Sequence, residues 1–263
     1  MKLIKNKRIG KVLLIVEGAR HEFNLVKKIF VDILGYTQIE NRRRSAKYYV
    51  REGDRHSVVA VINTKTSNIL SVREEEYLDT IFENLIEHYD FDINNAAIYY
   101  LFDRDPESNT DTVFIANLIE KLKNSRENDD NMRGGMLLLS YPAIEAYEIS
   151  NFVDRSFEIE ARLGSELKDY INRNAKAISM NKISRESILH AGLELLKFTE
   201  ELGIEINLDD FSDTGRAVFE EEEQSLEKYN TLKVLSLLSC MLMDLGILVR
   251  ERKEHDCEYG KME

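Results

Sequence analysis

Three short acidic motifs have the residue types and spacing to hold a divalent metal ion. Asp103-Arg104-Asp105 places two carboxylates one residue apart, directly after the apolar run Ala96 to Phe102. Carboxylates that close repel unless a cation lies between them. Hard ions such as Mg²⁺ or Mn²⁺ suit that position, because they take carboxylate and water oxygens. Glu17 follows a second apolar run, Lys11 to Val16, and precedes Gly18, where the backbone can turn or approach a ligand closely. Glu145 stands three residues after Pro142 and opens an apolar helical stretch containing Ile144, Tyr147 and Ile149. Each acid also has a structural reading. A strand-end aspartate can cap the next turn, and a first-turn glutamate can satisfy a helix dipole. Convergence of all four acids, Glu17, Asp103, Asp105 and Glu145, favours a shared metal site.

The elements that must position these acids are legible as hydrophobic patterns. Lys11 to Val16, Ser57 to Ile62, Ala96 to Phe102 and Met136 to Leu139 are short apolar runs, the signature of buried strands. Between them, Glu22 to Leu34, Glu74 to Tyr89 and Thr112 to Lys123 carry apolar residues at helical spacing, and Gly35 is placed to end the first helix. Strands alternating with helices predict an α/β fold with a mostly parallel sheet flanked by helices. Ligands of open α/β sheets bind outside the carboxyl ends of the strands, which is where these acids fall. From Phe157 onward the pattern is helical, with Leu189 to Leu202 amphipathic and Thr231 to Val249 carrying leucines at three- and four-residue steps. The expected organisation is a catalytic domain over 1–155 and a helical C-terminal subdomain over 156–263.

The 263 residues carry 36 Lys and Arg against 48 Asp and Glu, a formal charge of −12, and 43% are apolar. A chain of this length and apolar content can bury a sizeable core and is not a disordered protein. Two cysteines, Cys240 and Cys257, exclude a disulfide framework and suggest a reducing compartment. Lys233 and Asp244 interrupt the most apolar late window, so a soluble, cytoplasmic protein with no membrane partner is expected. The acidic total hides a basic island. Residues 41–73 hold eight cations against two acids, a local balance of +6. Such a patch can steer a polyanion. Arg42, Arg43, Arg44, Lys47 and Arg51 are therefore candidate nucleic-acid contacts, together with Arg104. Tyr48 and Tyr49 could stack on an unpaired base, or be ordinary strand residues.

Val16-Glu17-Gly18, followed by Glu22, then Asp103-Arg104-Asp105, and Pro142-Ala143-Ile144-Glu145-Ala146-Tyr147 resemble, in this order, the motifs of Toprim domains. The similarity is greatest to the small Toprim-like nucleases of bacterial phage defence, the RloB-like group, and more distant to the Toprim domain of OLD nucleases. Departures are the spacing of four from Gly18 to Glu22, His21 where a Thr usually stands, and Tyr147 in place of the usual Trp. The resemblance spans residues 10 to 155. It implies a Mg²⁺- or Mn²⁺-dependent endonuclease acting on DNA or RNA, with tRNA among the candidate targets, in antiphage defence. Glu17, Asp103, Asp105 and Glu145 would be its metal ligands and catalytic residues, with Glu17 a further ligand or the general base. The family often has a lysine after the third motif, for which Lys168, Lys176 and Lys182 are available.

Two other readings stay open. One is a non-catalytic Toprim-like module that binds nucleic acid or a separate ATPase sensor protein. The other is a haloacid-dehalogenase-type phosphatase, which also sets Asp-x-Asp after a strand. That family wants Thr or Val soon after the second Asp, whereas Pro106-Glu107 follow here, on the third strand and not the first. The leucine-rich segment 231–249 could pack within the monomer or across the axis of a homo-oligomer.

Overall fold

The computed structural model describes residues 1–18, 20–39, 46–64, 69, 91, 93, 95–127 and 134–251. The helix expected over Glu74 to Tyr89 and the cations Arg42, Arg43 and Arg44 lie outside them.

The chain is α/β, built on an eight-stranded, mostly parallel sheet. At its centre are four apolar strands: β2 (Lys11–Val16), β5 (Asp54–Asn63), β6 (Ala96–Asp103) and β8 (Gly135–Tyr141). β2 pairs in parallel with both β5 and β6, and β6 with β8. Strands covered on both faces need not alternate polar and apolar residues. The run Val12 to Val16 is accordingly buried throughout.

Short antiparallel strands finish the sheet. β4 (Ala46–Arg51) lies on β5, and β3 (Tyr36–Ile39) lies on β4. Beyond β8 come β11 (Leu235–Ser236) and, at its start, β7 (Lys123–Asn124). β3 and β4, which the hydrophobic pattern does not mark, form a meander with β5. Its strands also explain Tyr48 and Tyr49. Both are buried on β4, Tyr49 to 1% exposure, so neither ring is available to stack on a base.

Seven α-helices are described. α1 (His21–Lys27) runs into a π-helical turn, Lys28–Ile33, and stops at Gly35, whose φ of +77° suits glycine. α2 (Thr112–Lys121) is capped by Asp111, whose side chain accepts the Phe114 N–H. α3 (Glu145–Ser150) leads to α4 (Gly164–Arg173), and α5 (Arg185–Glu201) begins with a Ser184 capping box. α6 (Ser212–Tyr229) packs on α2, and α7 (Leu238–Asp244) packs on β8 and α5.

The segment 231–249 is not one helix. It divides into β10 (Leu232–Lys233), which pairs with β9 (Glu160–Ala161), then β11, α7 and β12 (Leu248–Val249), with β12 pairing β1 (Lys2–Leu3). Its leucines are buried because the segment crosses the sheet edge and the core beneath it. Burial on several sides yields the same leucine spacing as a helix face. One hydrophobic cluster runs from Val12 through Ile188 to Leu248, so the two expected parts share a core. Among the described residues no helix is long and apolar enough to cross a membrane.

Candidate active site

Parallel register brings the motifs to one rim of the sheet. Val16 lies opposite Leu101, and Asp103 opposite Ser140. Backbone bonds continue past the strands: the Glu17 N–H donates to Leu101 O (3.2 Å), Arg104 N–H to Ser140 O (2.8 Å) and Asp105 N–H to Pro142 O (3.0 Å). Segments 84 and 125 positions beyond Glu17, at Leu101 and Pro142, are thereby tied to the same turn region.

The carboxylates interlock through backbone donors. Glu17 Oε2 accepts the Asp103 N–H at 2.9 Å, and Asp103 Oδ1 accepts the Ile144 N–H at 2.8 Å. Glu22 Oε1 accepts the Gly18 N–H at 2.8 Å. Glu145 opens α3 and is buried, with its Oε1 3.5 Å from Lys168 Nζ and 3.8 Å from His21 Nδ1. One turn on, buried Glu148 lies 3.7 Å from His21 Nε2, with the Met180 backbone against it. Asp105 is engaged locally, accepting from Glu107 N–H (3.0 Å) and Ser108 Oγ (2.9 Å).

The electrostatics follow from burial and crowding. Burial lifts the Glu17 carboxyl to about 7. The Asp103 N–H opposes that shift, and repulsion from Glu22 and Asp105 adds to it. Asp103 is pushed well above the usual carboxylate range, first by burial and then by the charges of Glu17, Glu145 and Glu22. Glu148 is raised chiefly by burial. Four acids from three separated segments therefore act on one another.

These oxygens do not form a closed ligand shell. Among the described residues, the one trio with ligand atoms all within 4.8 Å of each other is Asp154, His190 and Glu194, away from the motifs. A cation already serves that trio: Lys197 Nζ lies 2.6 Å from Glu194 and 3.8 Å from Asp154. At the rim, Glu17 and Asp103 each keep one oxygen free of hydrogen bonds among the described residues, and Glu145 keeps both. All of these donors are hard oxygens, which fits Mg²⁺ or Mn²⁺.

The expected nucleic-acid contacts fare differently. Arg104 is 2% exposed and points inward, where its Nε and Nη2 bond Glu223 at 2.5 and 2.8 Å and its Nη1 bonds Asn109 O at 2.9 Å. It braces the turn after β6 against α6 and cannot reach a substrate. Arg51 donates to the carbonyls of Lys7 and Lys5 and to Asn6 Oδ1, tying the N-terminal segment to β4. Lys47 is half-buried on β4.

Sequence reasoning did not assign His21 or Glu148 to the site. The three-residue step from Glu145 to Glu148 was the available signal, since residues so spaced share a helix face. Compared with protein-family models, curated proteins and solved structures, the chain matches none.

Proposed function

We propose that this carboxylate cluster binds Mg²⁺ or Mn²⁺ and that the protein is a metal-dependent nuclease. The observation that carries the reading is the convergence of Glu17, Glu22 and Glu145 on Asp103, at the carboxyl ends of adjacent parallel strands. Buried carboxylates that repel one another cost stability unless a cation compensates them. That expense is easiest to understand at a functional site.

Glu17, Asp103 and Glu145 are the residues that would hold the ion, with Asp105 beside them. A divalent ion there supplies Lewis-acid polarisation of a phosphate and a lower pKa for an attacking water. Glu17, on the β2 end beside Asp103, is placed to accept that water's proton on its carboxylate. Lys168 is 64% exposed and 3.5 Å from Glu145, so it can meet negative charge on the phosphate oxygens. Gly18 and the Ile144 N–H fix the two carboxylates around which these groups are arranged. The setting in antiphage defence is carried by the motif resemblance alone.

The test is incubation of the purified protein with tRNA, single-stranded DNA and duplex DNA in Mg²⁺, Mn²⁺ or EDTA. Cleavage that requires metal and is lost in Asp103→Ala and Glu145→Ala supports the reading. Cleavage by the double variant at the parent rate contradicts it.

A further inference from the structure

We infer that residues 162–185 form the track for a nucleic-acid backbone leading into the carboxylate cluster. This inference rests on the nuclease reading of that cluster and adds which surface carries the substrate.

The first observation is charge. In a chain of net −12, residues 162–185 hold six cations and two acids, a local balance of +4. The second is placement. Both ends of the segment's central stretch touch the site. Lys168 Nζ, on α4, stands 3.5 Å from Glu145, and the Met180 backbone lies against Glu148. Leu167 anchors α4 by packing in a small apolar cluster with Ala146 and Ile149 of α3. The chain from Lys168 to Met180 thus starts beside one buried acid of α3 and returns to another.

The third observation is availability. Arg173, Lys176 and Lys182 are exposed, and among the described residues no carboxylate lies within 4.0 Å of their charged nitrogens. Several of the described cations elsewhere are neutralised by carboxylates. Arg104 pairs with Glu223, Arg126 with Asp244, Arg216 with Glu120 and Lys233 with Glu221. Arg173 uses its Nε on the Asp169 carbonyl and Lys182 its ammonium on the Lys176 carbonyl. These bonds hold the side chains without cancelling their charge.

Uncompensated cations beside an acidic site have a physical use. Phosphate contacts supply affinity and position the chain without reading sequence. A positive rim also offsets the repulsion that the carboxylates exert on an incoming polyanion. Arg51, from the basic island at 41–73, is spent on backbone carbonyls.

The test is anisotropy of a fluorescein-labelled 20-nucleotide single strand, as DNA and as RNA, titrated with the full chain in EDTA at several salt concentrations. The variant is Arg173→Gln/Lys176→Gln/Lys182→Gln. The control, with the same charge change at other exposed lysines, is Lys2→Gln/Lys121→Gln/Lys228→Gln. The expected result is roughly tenfold weaker binding for the first variant, with the slope of log K against log salt smaller in magnitude by about 2. The control keeps the parent slope. An Arg173→Lys/Lys176→Arg/Lys182→Arg variant restores affinity, which separates charge from damage to the fold. Equal loss in both triple variants, an unchanged slope in the first, or no binding by the parent overturns the inference. Because EDTA blocks metal-dependent cleavage, binding through this segment without any later cutting would fail the nuclease reading and leave this one standing.

Discussion

The Gly18 N–H donates to Glu22 Oε1 at 2.8 Å, and both Glu22 oxygens sit 2.7 Å from where a Cβ on Gly18 would stand. Glycine is required there by the closeness of a carboxylate and not by backbone twist. Gly18→Ala should therefore swing the Glu22 side chain away while costing the fold little. We expect metal affinity and cleavage to fall about 10–100-fold, as when an outer contact of a metal site is lost. Thermal unfolding in EDTA should change by only a few degrees. Calorimetric Mn²⁺ titration beside a melting curve checks both.

Asp103→Asn should separate stability from function. Because Asp103 is raised well above its ordinary value, its contribution to stability is present in full below the unfolded carboxyl pKa, near 4. It is lost as pH rises toward the folded value. At pH 8 in EDTA the Asn variant should unfold at a higher temperature than the parent, at about 2–4 °C for each kcal/mol relieved. At pH 4 the difference should shrink. Mg²⁺ should raise the parent's unfolding temperature and not the variant's. Scans at both pH values, with and without Mg²⁺, measure this.

Glu222 makes a second pH-dependent contribution, away from the site. It is fully buried on α6 and raised to about 8 by burial, while Oε2 accepts the Lys233 N–H at 2.8 Å and Oε1 has no partner. Its folded-state pKa lies above its unfolded value. Its stabilising effect is thus complete below about 4.5 and is lost as pH rises through about 8. Glu222→Gln should flatten that stretch of the stability curve and stabilise the protein at pH 8.5 by roughly 2 kcal/mol. Urea unfolding between pH 4.5 and 8.5 reads the slope.

Arg104→Met should destabilise the protein by about 3 kcal/mol, because it leaves Glu223 and the Asn109 carbonyl without their partner. Nucleic-acid affinity measured on the folded fraction should be unchanged, since the guanidinium faces the core. A fall in affinity at constant stability would restore Arg104 to the surface role expected from its sequence neighbours.

Legibility tracked how local each feature was. Lys11–Val16 and Ala96–Asp103 announced themselves because doubly covered strands are continuous apolar runs. Their carboxyl ends, with that of Gly135–Tyr141, then put Glu17, Asp103 and Glu145 at one rim without knowledge of side-chain contacts. Features set by distant partners were not legible. The inward turn of Arg104 depends on Glu223, 119 residues away. The approach of Lys168 to Glu145 depends on how α4 packs through Leu167. β3 and β4 were hidden because Gln38, Lys47 and Arg51 break up any apolar run there. Arg51 can lie on a strand because it finds carbonyls at its end.

The central claim, that the rim acids share a divalent ion, is tested most directly by Mn²⁺ binding followed by electron paramagnetic resonance. The parent protein, Asp103→Asn, Glu145→Gln and Asp154→Asn should be titrated under identical conditions. The account predicts that Asp103→Asn and Glu145→Gln each lose the bound Mn²⁺ and that Asp154→Asn keeps it. Mn²⁺ held equally by all four, or lost only in Asp154→Asn, would contradict it.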